Sequence, residues 1–394
     1  MQPLYVNAYT AVTAIGAGRD ATRAALAAMR SGLTPNDFAP AQIDAYVGRV
    51  AGVESVEVPE HLRAFDCRNH RLAWLGLQQD GFRGAVARAV ARHGPHRIAV
   101  IAGTSTTGVL STELAYRNRD PVTGALPPGL SFEKTHSFSA LTEFVRVALA
   151  LTGPTLTVST ACSSSSKVFA SASRWIAAGL CDAAVVAGVD SLCGTTLHGF
   201  NSLQLVSRTP CRPFDADRDG LSLGEGGGFA LLERVPDSSE LALLGYGESA
   251  DAYHMSAPHP EGLGARLAMA AALERSGLAP RQIDYVSAHG TATRNNDIVE
   301  AHAIARVVGP ETPVTSLKGF FGHTLGASGI IGAVTSLIAL EHGFIAGTVN
   351  TKRVDPGCEA TIQLDSTAHP VRAVLANSLG FGGNNASLVF GVVR

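Results

Sequence analysis

The order of apolar and polar positions along the chain predicts helices that alternate with buried strands. In residues 84–106, GAVARAVARHGPHRIAVIAGTST, apolar positions at helical spacing precede a glycine and then a continuous apolar run. Residues 266–293, RLAMAAALERSGLAPRQIDYVSAHGTAT, repeat this order. Runs that are apolar throughout, such as AAVVAGV at 183–189, are typical of a sheet that helices cover on both faces. The pattern therefore predicts an α/β protein.

Two further pairs of segments repeat in the same order. TVSTACSSSSKVFASASRWIAAG and TSLKGFFGHTLGASGIIGAVTSLIALEHG each contain a short strand, a loop of small residues and a helix that ends at a glycine. GEGGGFALLE at 224–233 and GFGGNNASLVF at 380–390 are each a glycine-rich turn that enters an apolar strand. Chance accounts for one such pair more easily than for three, so we infer a duplicated α/β unit. The polar segment 236–239 predicts an N-terminal half at 1–236 and a C-terminal half at 237–394.

The composition argues against several classes of function and site. Lys and Arg total 31 against 33 for Asp and Glu, so the chain lacks the basic excess that nucleic-acid binding requires. The most apolar stretch, 327–340, is shorter than the roughly 18 residues of a membrane span, and the N-terminus lacks signal-peptide features. The six cysteines include no C-x-x-C pair, which argues against a disulfide framework or a zinc site. We expect a cytoplasmic protein without a membrane span.

Cys162 differs from the other five cysteines in its position. It lies where a predicted strand at 155–159 meets a predicted helix that starts near residue 163. Unpaired N–H groups and the helix dipole favour an anion there, which predicts a stabilised thiolate and donors for an oxyanion. A buried helix-start cysteine with a packing role explains the same pattern, and the local sequence leaves both interpretations open.

Two histidines follow strands of the second half. His289 comes after DYVSA, and His323 lies in KGFFGHTLGASG before a helix. Since the repeats match, we expect both histidines at the same carboxyl-end face as Cys162, where α/β sheets build their sites. A thiolate needs a base or a charge partner, and two histidines can supply it. The alternatives are ordinary loop histidines or, less well supported by the spacing, metal ligands.

Other polar and glycine-rich positions have competing interpretations. Lys318 either sets the charge state of the catalytic group or is a solvated loop charge, and the hydroxyls of Thr291 and Thr293 either hold an extended polar ligand or complete a turn. The GxGxxA pattern at 12–26 has no clear acidic residue after a second strand, so it is weak evidence for a dinucleotide site. GEGGG is not followed by the Lys-Ser/Thr of a phosphate-binding loop.

Four motifs together give a much more specific signal. TACSSSS, SAHGTATRNND, KGFFGHTLGASG and NSLGFGGNNASL occur in this order, with CRPFDADRDGLSLGEGGG between the first two. In this the chain resembles the β-ketoacyl-acyl carrier protein synthases of the I/II type, in the thiolase-like superfamily, over nearly its whole length. The resemblance implies a duplicated five-layer α-β-α-β-α sandwich, and this duplication agrees with the repeats. It also implies that the protein is a dimer, as is usual in the family.

The resemblance also implies catalytic roles. Cys162 matches the nucleophile that takes an acyl chain from a phosphopantetheine thioester. His289 and His323 match the pair that promotes malonyl decarboxylation and stabilises the enolate, and Lys318 matches a lysine that organises the second histidine. Phe381 matches a gating phenylalanine whose N–H group completes an oxyanion hole with that of Cys162.

Binding and supporting roles follow from the same resemblance. Thr291 and Thr293 match the threonines that hold the pantetheine arm, and Phe200 is implied in substrate binding. Glu300 matches a buried glutamate near the lysine. Candidate residues for docking an acidic carrier protein are three arginines: Arg68, Arg71 and Arg208. Isolated surface arginines are the competing explanation for these three.

The implied reaction is a ping-pong decarboxylative Claisen condensation that needs no metal and no nucleotide cofactor. The implied partners are an acyl carrier protein and either an identical subunit or a ketosynthase-like second subunit. The alternatives are a non-catalytic chain-length-factor-like subunit, against which Cys162 and both histidines argue, and a thioester acyltransferase or hydrolase on the same fold. Fatty-acid synthesis and a specialised polyketide or aryl-polyene-like pathway both remain open.

Overall fold

The structure is a computed structural model that describes residues 1–237 and 239–393. Ser238 and Arg394 lie outside the described residues. The predicted division of the chain at 236–239 includes Ser238, and the two predicted halves, 1–236 and 237–394, stay a prediction.

The secondary structure follows the predicted alternation of strands and helices. The strands are β1 (Leu4–Thr13), β2 (Gly16–Ala17), β3 (Leu33–Pro35), β4 (Tyr46–Gly48), β5 (Ile98–Gly103), β6 (Thr155–Val158), β7 (Ala183–Asp190), β8 (Leu223–Gly224), β9 (Gly226–Glu233), β10 (Leu241–Ala250), β11 (Tyr285–Ser287), β12 (Val314–Thr315), β13 (Phe344–Ile345), β14 (Thr367–Ala368), β15 (Ala373–Gly380) and β16 (Asn384–Val392). The α-helices are α1 (Arg19–Ala27), α2 (Arg68–Leu77), α3 (Phe82–His93), α4 (Val109–Arg117), α5 (Phe138–Ala148), α6 (Ser164–Ala177), α7 (Gly194–Ser202), α8 (Leu263–Ser276), α9 (Arg294–Val308), α10 (Lys318–Phe321) and α11 (Ser328–His342).

The large sheet contains the same strand order twice. The earlier part of the chain gives β6-β5-β7-β9-β1, and the later part gives β12-β11-β15-β16-β10. In each set the first three strands are parallel and the remaining pairings are antiparallel. The two sets join where β1 pairs antiparallel with β10. The three repeats found in the sequence therefore occupy equivalent places, and the duplicated α/β plan is confirmed.

Helices divide this folded sheet into layers. Helices α6 and α11 pack against each other and against strands of both sets, so they form the central layer. Helices α2, α3 and α5 cover the outer face of the first set, and α8, with α9 packed on it, covers the outer face of the second. The result is the predicted five-layer α-β-α-β-α sandwich.

The central helix α11 is the most apolar long segment. Together with the turn before it, at 325–327, it spans 18 residues with a mean hydropathy of 1.4, which by length and composition is enough to cross a membrane. The helical segment is longer than the apolar run at 327–340, because it includes the turn before α11 and the polar residues Glu341 and His342. However, 78% of the segment is buried inside the protein, as expected for a core helix.

Small residues allow α6 and α11 to lie close together. A methyl group at Gly329 of α11 would overlap the backbone and hydroxyl of Ser166 on α6. Ser165 of α6 accepts a hydrogen bond from the backbone N–H of Ile330 at 2.9 Å. Because Cys162 lies just before α6 and His323 just before α11, this close crossing sets the distance between the two side chains.

Candidate active site

Cys162 sits in a tight turn between β6 and α6. Its side chain is buried, and the preceding Ala161 has a left-handed backbone with φ +52°. Such strained backbone is uncommon outside glycine and concentrates at functional sites. The serine run holds the turn, because Ser164 Oγ accepts from the N–H of Thr160 at 2.8 Å and Ser163 Oγ donates to its carbonyl at 2.9 Å. The small residues after Cys162 are thus the supports of this turn.

His323 contacts the sulfur directly. Its Nε2 lies 2.9 Å from Cys162 Sγ, and its Nδ1 lies 2.9 Å from Ser328 Oγ at the start of α11. The backbone of His323 is also fixed, since its N–H donates to Ser222 at 2.7 Å and its carbonyl accepts from Gly224 at 3.0 Å. The sequence predicted that Cys162 and His323 share a face, and the structure brings them into hydrogen-bonding contact.

His289 completes the group from the loop after β11. Its ring is nearly perpendicular to that of His323, with centroids 5.2 Å apart. The ammonium of Lys318, which is 6% exposed, lies 3.4 Å from His289 Nδ1 and also donates to the His289 carbonyl. Lys318 is therefore not a solvated loop charge. It contacts the first histidine and not the second, which corrects the partner implied by the resemblance, because α10 starts at Lys318 and directs it back towards the β11 loop.

Two carboxylates of α9 hold the loop that carries His289. Glu300 accepts from the backbone N–H groups of His289 and Gly290, both at 2.7 Å, which agrees with its expected supporting position. Asp297, one turn earlier, accepts from the N–H of Ala292 at 3.2 Å and lies 3.6 Å from the guanidinium of the buried Arg218. Sequence reasoning missed Asp297. The signal was available, because carboxylates three residues apart share one helix face.

Asp190 is a second supporting carboxylate that sequence reasoning missed. It is fully buried at the end of β7 and accepts hydrogen bonds from the loop after β5, at Thr104, Ser105 and Thr106. It also accepts from the backbone N–H of Gly326 at 2.6 Å, in the loop between His323 and α11. A charge that ends a continuously apolar strand was the signal in the sequence.

Burial sets the protonation states of Cys162, His289 and His323. It raises the pKa of the Cys162 thiol to about 11, against the lowering effects of Lys318 and of the Phe381 N–H group. The expectation of a stabilised thiolate was therefore wrong, because desolvation outweighs the helix start. Burial and the Lys318 charge hold the pKa values of His289 and His323 well below their usual range. At neutral pH the group is a thiol next to two neutral imidazoles.

A cavity of about 480 Å³ opens onto these groups. Cys162, both histidines, Thr291, Thr293, Phe200 and Phe381 all line it, so the structure brings these predicted site residues together. The Phe381 ring stacks on Phe200 with centroids 5.5 Å apart, and Phe200 in turn faces the His323 ring at 6.5 Å. The two phenylalanines form an aromatic wall beside the sulfur.

The three arginines proposed for carrier docking lie elsewhere, and none is among the described residues that line the cavity. Arg68 is 9% exposed and pairs with the buried Glu225 at 2.6 Å. Arg71 pairs with Asp66 at 2.6 Å. Arg208 keeps its side chain 81% exposed. The expected role of Arg68 in carrier docking does not fit its position, because its guanidinium is paired with a buried carboxylate.

Cys162, His289 and His323 also have donor atoms within 4.8 Å of one another, close enough to bind one metal ion. The Lys318 ammonium beside His289 Nδ1 opposes a second positive charge there. The absence of a metal from the reaction stays a prediction.

Two family profiles match this chain. One is described as the beta-ketoacyl synthase N-terminal domain and matches residues 69–238. The other is described as the beta-ketoacyl synthase C-terminal domain and matches residues 241–352.

Curated proteins are also similar to this chain. A mitochondrial 3-oxoacyl-[acyl-carrier-protein] synthase of Arabidopsis thaliana is 39% identical over 60% of this chain and 56% of that protein. A 3-oxoacyl-[acyl-carrier-protein] synthase 2 of Rhizobium meliloti is 37% identical over 61% of each. The chain thus spans about three fifths of the length of these curated relatives.

The structural matches cover the whole chain. The ketosynthase ApeO of Xenorhabdus doucetiae, solved in complex with its chain length factor ApeC, is 36% identical with a TM-score of 0.88 over 100% of this chain and 98% of the matched one. A beta-ketoacyl synthase of Burkholderia phymatum is 28% identical with a TM-score of 0.89 over 100% of both chains.

Proposed function

Since the chain belongs to the beta-ketoacyl synthase family, we propose that it is a condensing enzyme that extends a Cys162-bound acyl group with a malonyl unit delivered on an acyl carrier protein. The products are CO2 and a 3-ketoacyl-carrier two carbons longer. One observation carries the proposal. Cys162 Sγ lies 2.9 Å from His323 Nε2, in a cavity that His289 also lines.

Acylation of Cys162 begins with proton transfer. The thiol has a raised pKa, and the neutral His323 beside it has a lone pair at Nε2 when its Nδ1–H donates to Ser328. His323 takes the thiol proton as the sulfur attacks the carbonyl carbon of the incoming thioester. The carrier's sulfur then leaves and receives that proton, so the acyl group ends on Cys162 and His323 is neutral again.

The negative charge of the tetrahedral intermediate needs donors near the sulfur. The backbone N–H groups of Phe381 and Cys162 both lower the pKa of the Cys162 thiol, so they face the sulfur and would donate to an oxyanion formed beside it. The turn at Ala161 and the short helix at Phe381–Gly383 hold these groups in place. Loss of one such donor typically costs about 100-fold or more in rate.

The second half-reaction uses both histidines as donors. Lys318 faces Nδ1 of His289, which leaves its Nε2–H free to donate to the malonyl thioester oxygen. Ser328 can donate to Nδ1 of His323, so that residue can present N–H at Nε2 as well. The carboxylate leaves as CO2, its bonding electrons form the enolate, and the new carbanion attacks the acyl carbonyl on Cys162. The C–S bond breaks, and the released thiolate takes up one proton.

The cavity also fits the expected ligand. Thr291 and Thr293 place hydroxyls 2.9 Å apart along its wall, suited to the amides of a pantetheine arm. Phe200 and Phe381 would contact the acyl end, and Phe381 would move as a gate. We propose that the reaction needs no metal or nucleotide cofactor and takes place in the cytoplasm.

An acyl carrier protein and a second ketosynthase-like subunit, identical or not, are the proposed partners. Strand β6 is at the edge of the large sheet, and α5 packs beside it. Exposed apolar side chains cluster near this edge on α4, on the turn before α5 and at the start of α5: Leu114, Tyr116, Phe132 and Phe138. An unpaired strand edge next to such a patch favours a subunit interface. Arg208 and the partly exposed Arg71 remain the candidates for carrier docking.

The experiment is a condensation assay read by intact-protein mass spectrometry. The enzyme is incubated with a panel of aliphatic and aromatic acyl-carriers and with malonyl-carrier. We expect an acyl adduct on the enzyme and a two-carbon extension of the carrier-bound chain. Both should disappear in Cys162→Ala and persist in Cys358→Ala, a control cysteine that does not line the cavity. The panel also decides between fatty-acid and polyketide or polyene substrates.

Other outcomes would assign the chain differently. Extension that survives Cys162→Ala would exclude the covalent mechanism. An adduct that is hydrolysed without extension would indicate a thioester hydrolase. Failure of every acyl-carrier to label Cys162 would indicate a non-catalytic partner subunit.

A further inference from the structure

The segment that carries His289 runs from the catalytic group to the surface along one wall of the cavity. His289 and Thr291 are buried, Thr293 is half-buried, and Arg294 is exposed, and all four line the same cavity. The wall therefore changes from imidazole through hydroxyls to a guanidinium as it approaches solvent. An extended ligand with its reacting end at Cys162 would have its outer end beside Arg294.

Arg294 is the cation at this outer end. In the part of the chain that the structure describes, its guanidinium forms no ion pair and no hydrogen bond. Both carboxylates that line the cavity, among the residues that the structure describes, already accept hydrogen bonds. Asp219 accepts from Ser207 at 2.7 Å, and Asp251 accepts from Asn385 at 2.8 Å.

The backbone at Arg294 is held firmly although its side chain is free. The buried Arg218 donates to the carbonyl of Arg294 at 2.8 Å and to that of Thr293 at 3.3 Å. Helix α9 starts at Arg294, so its dipole adds a partial positive charge of the same sign. Because the backbone is fixed and the guanidinium is free, Arg294 can bind an anionic group of a ligand at a defined position.

We propose that Arg294 binds the phosphodiester group of the carrier's phosphopantetheine arm at the mouth of the cavity. This rests on the proposed function, in which the arm enters with its thioester at Cys162. Arginine suits the task because its planar N–H groups match phosphate oxygens, and a phosphodiester stays anionic throughout the working pH range. Arg294 thus fixes the outer end of the arm while Thr291 and Thr293 contact its middle.

The test measures protection of Cys162 from iodoacetamide, so it does not require turnover. Wild-type enzyme is titrated with phosphopantetheine and, separately, with pantetheine, which lacks the phosphate, each as its S-methyl thioether so that no ligand thiol consumes iodoacetamide. We expect phosphopantetheine to protect at about fivefold lower concentration. Arg294→Ala should remove that difference without changing protection by pantetheine, and Arg294→Lys should retain part of it. Arg281→Ala, an exposed arginine away from the cavity, should behave as wild type.

The remaining outcomes overturn the proposal or its premise separately. Equal loss of protection by both ligands in Arg294→Ala would show that Arg294 shapes the cavity and does not recognise phosphate. Unchanged protection by free phosphopantetheine together with a raised KM for acyl-carrier would assign Arg294 to acidic side chains of the carrier. Protection that depends on Arg294 in an enzyme without condensing activity would contradict the proposed function and leave the phosphate site intact.

Discussion

The ammonium of Lys318 lies 3.4 Å from Nδ1 of His289 and donates to the carbonyl of the same residue. The lysine therefore acts on His289 from two sides, orienting the ring and fixing the loop. Both groups are buried, and burial lowers the pKa of Lys318 while Glu300, its neighbour, opposes that shift. The arrangement makes His289 a neutral donor whose proton is directed into the cavity.

Replacing Lys318 should separate the two half-reactions. In Lys318→Met we expect malonyl decarboxylation to fall about 100-fold or more, because His289 loses its orientation and its fixed tautomer. Acylation of Cys162 should fall much less, because His323 supports it. The measurements are CO2 release from malonyl-carrier and adduct formation by mass spectrometry, with the surface variant Lys352→Met as control. A parallel fall in both rates would contradict the assignment of Lys318 to His289.

The reactivity of Cys162 should follow its raised pKa. A thiol with a pKa of about 11 gains thiolate roughly tenfold per pH unit throughout the range 7 to 10. Iodoacetamide alkylation of Cys162 should therefore keep rising to pH 10 in the enzyme without substrates. A plateau below pH 8 would show that the thiolate is stabilised at rest.

The histidines should not limit acylation in mildly acidic solution. Because burial and Lys318 lower the pKa values of His289 and His323 well below 6.5, both rings stay neutral as the pH falls from 7 to 6. The rate of enzyme acylation by a thioester should show no inflection near pH 6.5. An inflection there would mean that His323 titrates like a solvent-exposed imidazole.

Two arginines should separate stability from carrier recognition. Arg68→Ala leaves the buried Glu225 without its partner, and we expect a loss of about 3 to 5 kcal/mol in the free energy of unfolding. Arg208→Ala removes an exposed charge, so stability should stay within about 0.5 kcal/mol while the KM for acyl-carrier rises. Denaturant unfolding and steady-state kinetics measure the two effects. A stable Arg68→Ala variant with impaired carrier binding would restore Arg68 as a docking residue.

The crossing of α6 and α11 offers a matched pair of glycine substitutions. In Gly329→Ala the new methyl group overlaps Ser166, and we expect destabilisation of about 1 to 3 kcal/mol with slower acylation of Cys162. Gly332, on the same helix, has open space at the equivalent position, so Gly332→Ala should be neutral or stabilising by up to about 1 kcal/mol. If both variants behave alike, helix propensity and not the close contact governs this helix.

The sequence predicted the features that depend on local pattern. The duplicated order of strands and helices was readable because each repeat carries its own periodicity and glycine stops. The common face of Cys162, His289 and His323 followed, since carboxyl ends of parallel strands meet at one edge.

Features that depend on distant contacts were not predictable in this way. Arg68 and Glu225 are 157 residues apart, and no local pattern pairs them. The partner of Lys318 and the hydrogen bonds of Asp190 arise from packing between separate loops. The protonation state of Cys162 was predicted wrongly for the same reason. The prediction considered only the helix start after Cys162, whereas burial by distant parts of the fold has the larger effect on the thiol pKa.

Cys162 and the two imidazoles come from different repeats of the duplicated fold, and the crossing of α6 and α11 holds Cys162 and His323 together at the shared boundary. The contact of Cys162 with His323 therefore depends on how the two repeats are aligned. Any opening that slides or separates them removes the sulfur–imidazole contact, even when each repeat keeps its own sheet. Substitutions far from the cavity that loosen this boundary should thus appear first as lost nucleophilic capacity and later as lost secondary structure, so that inactivation precedes melting.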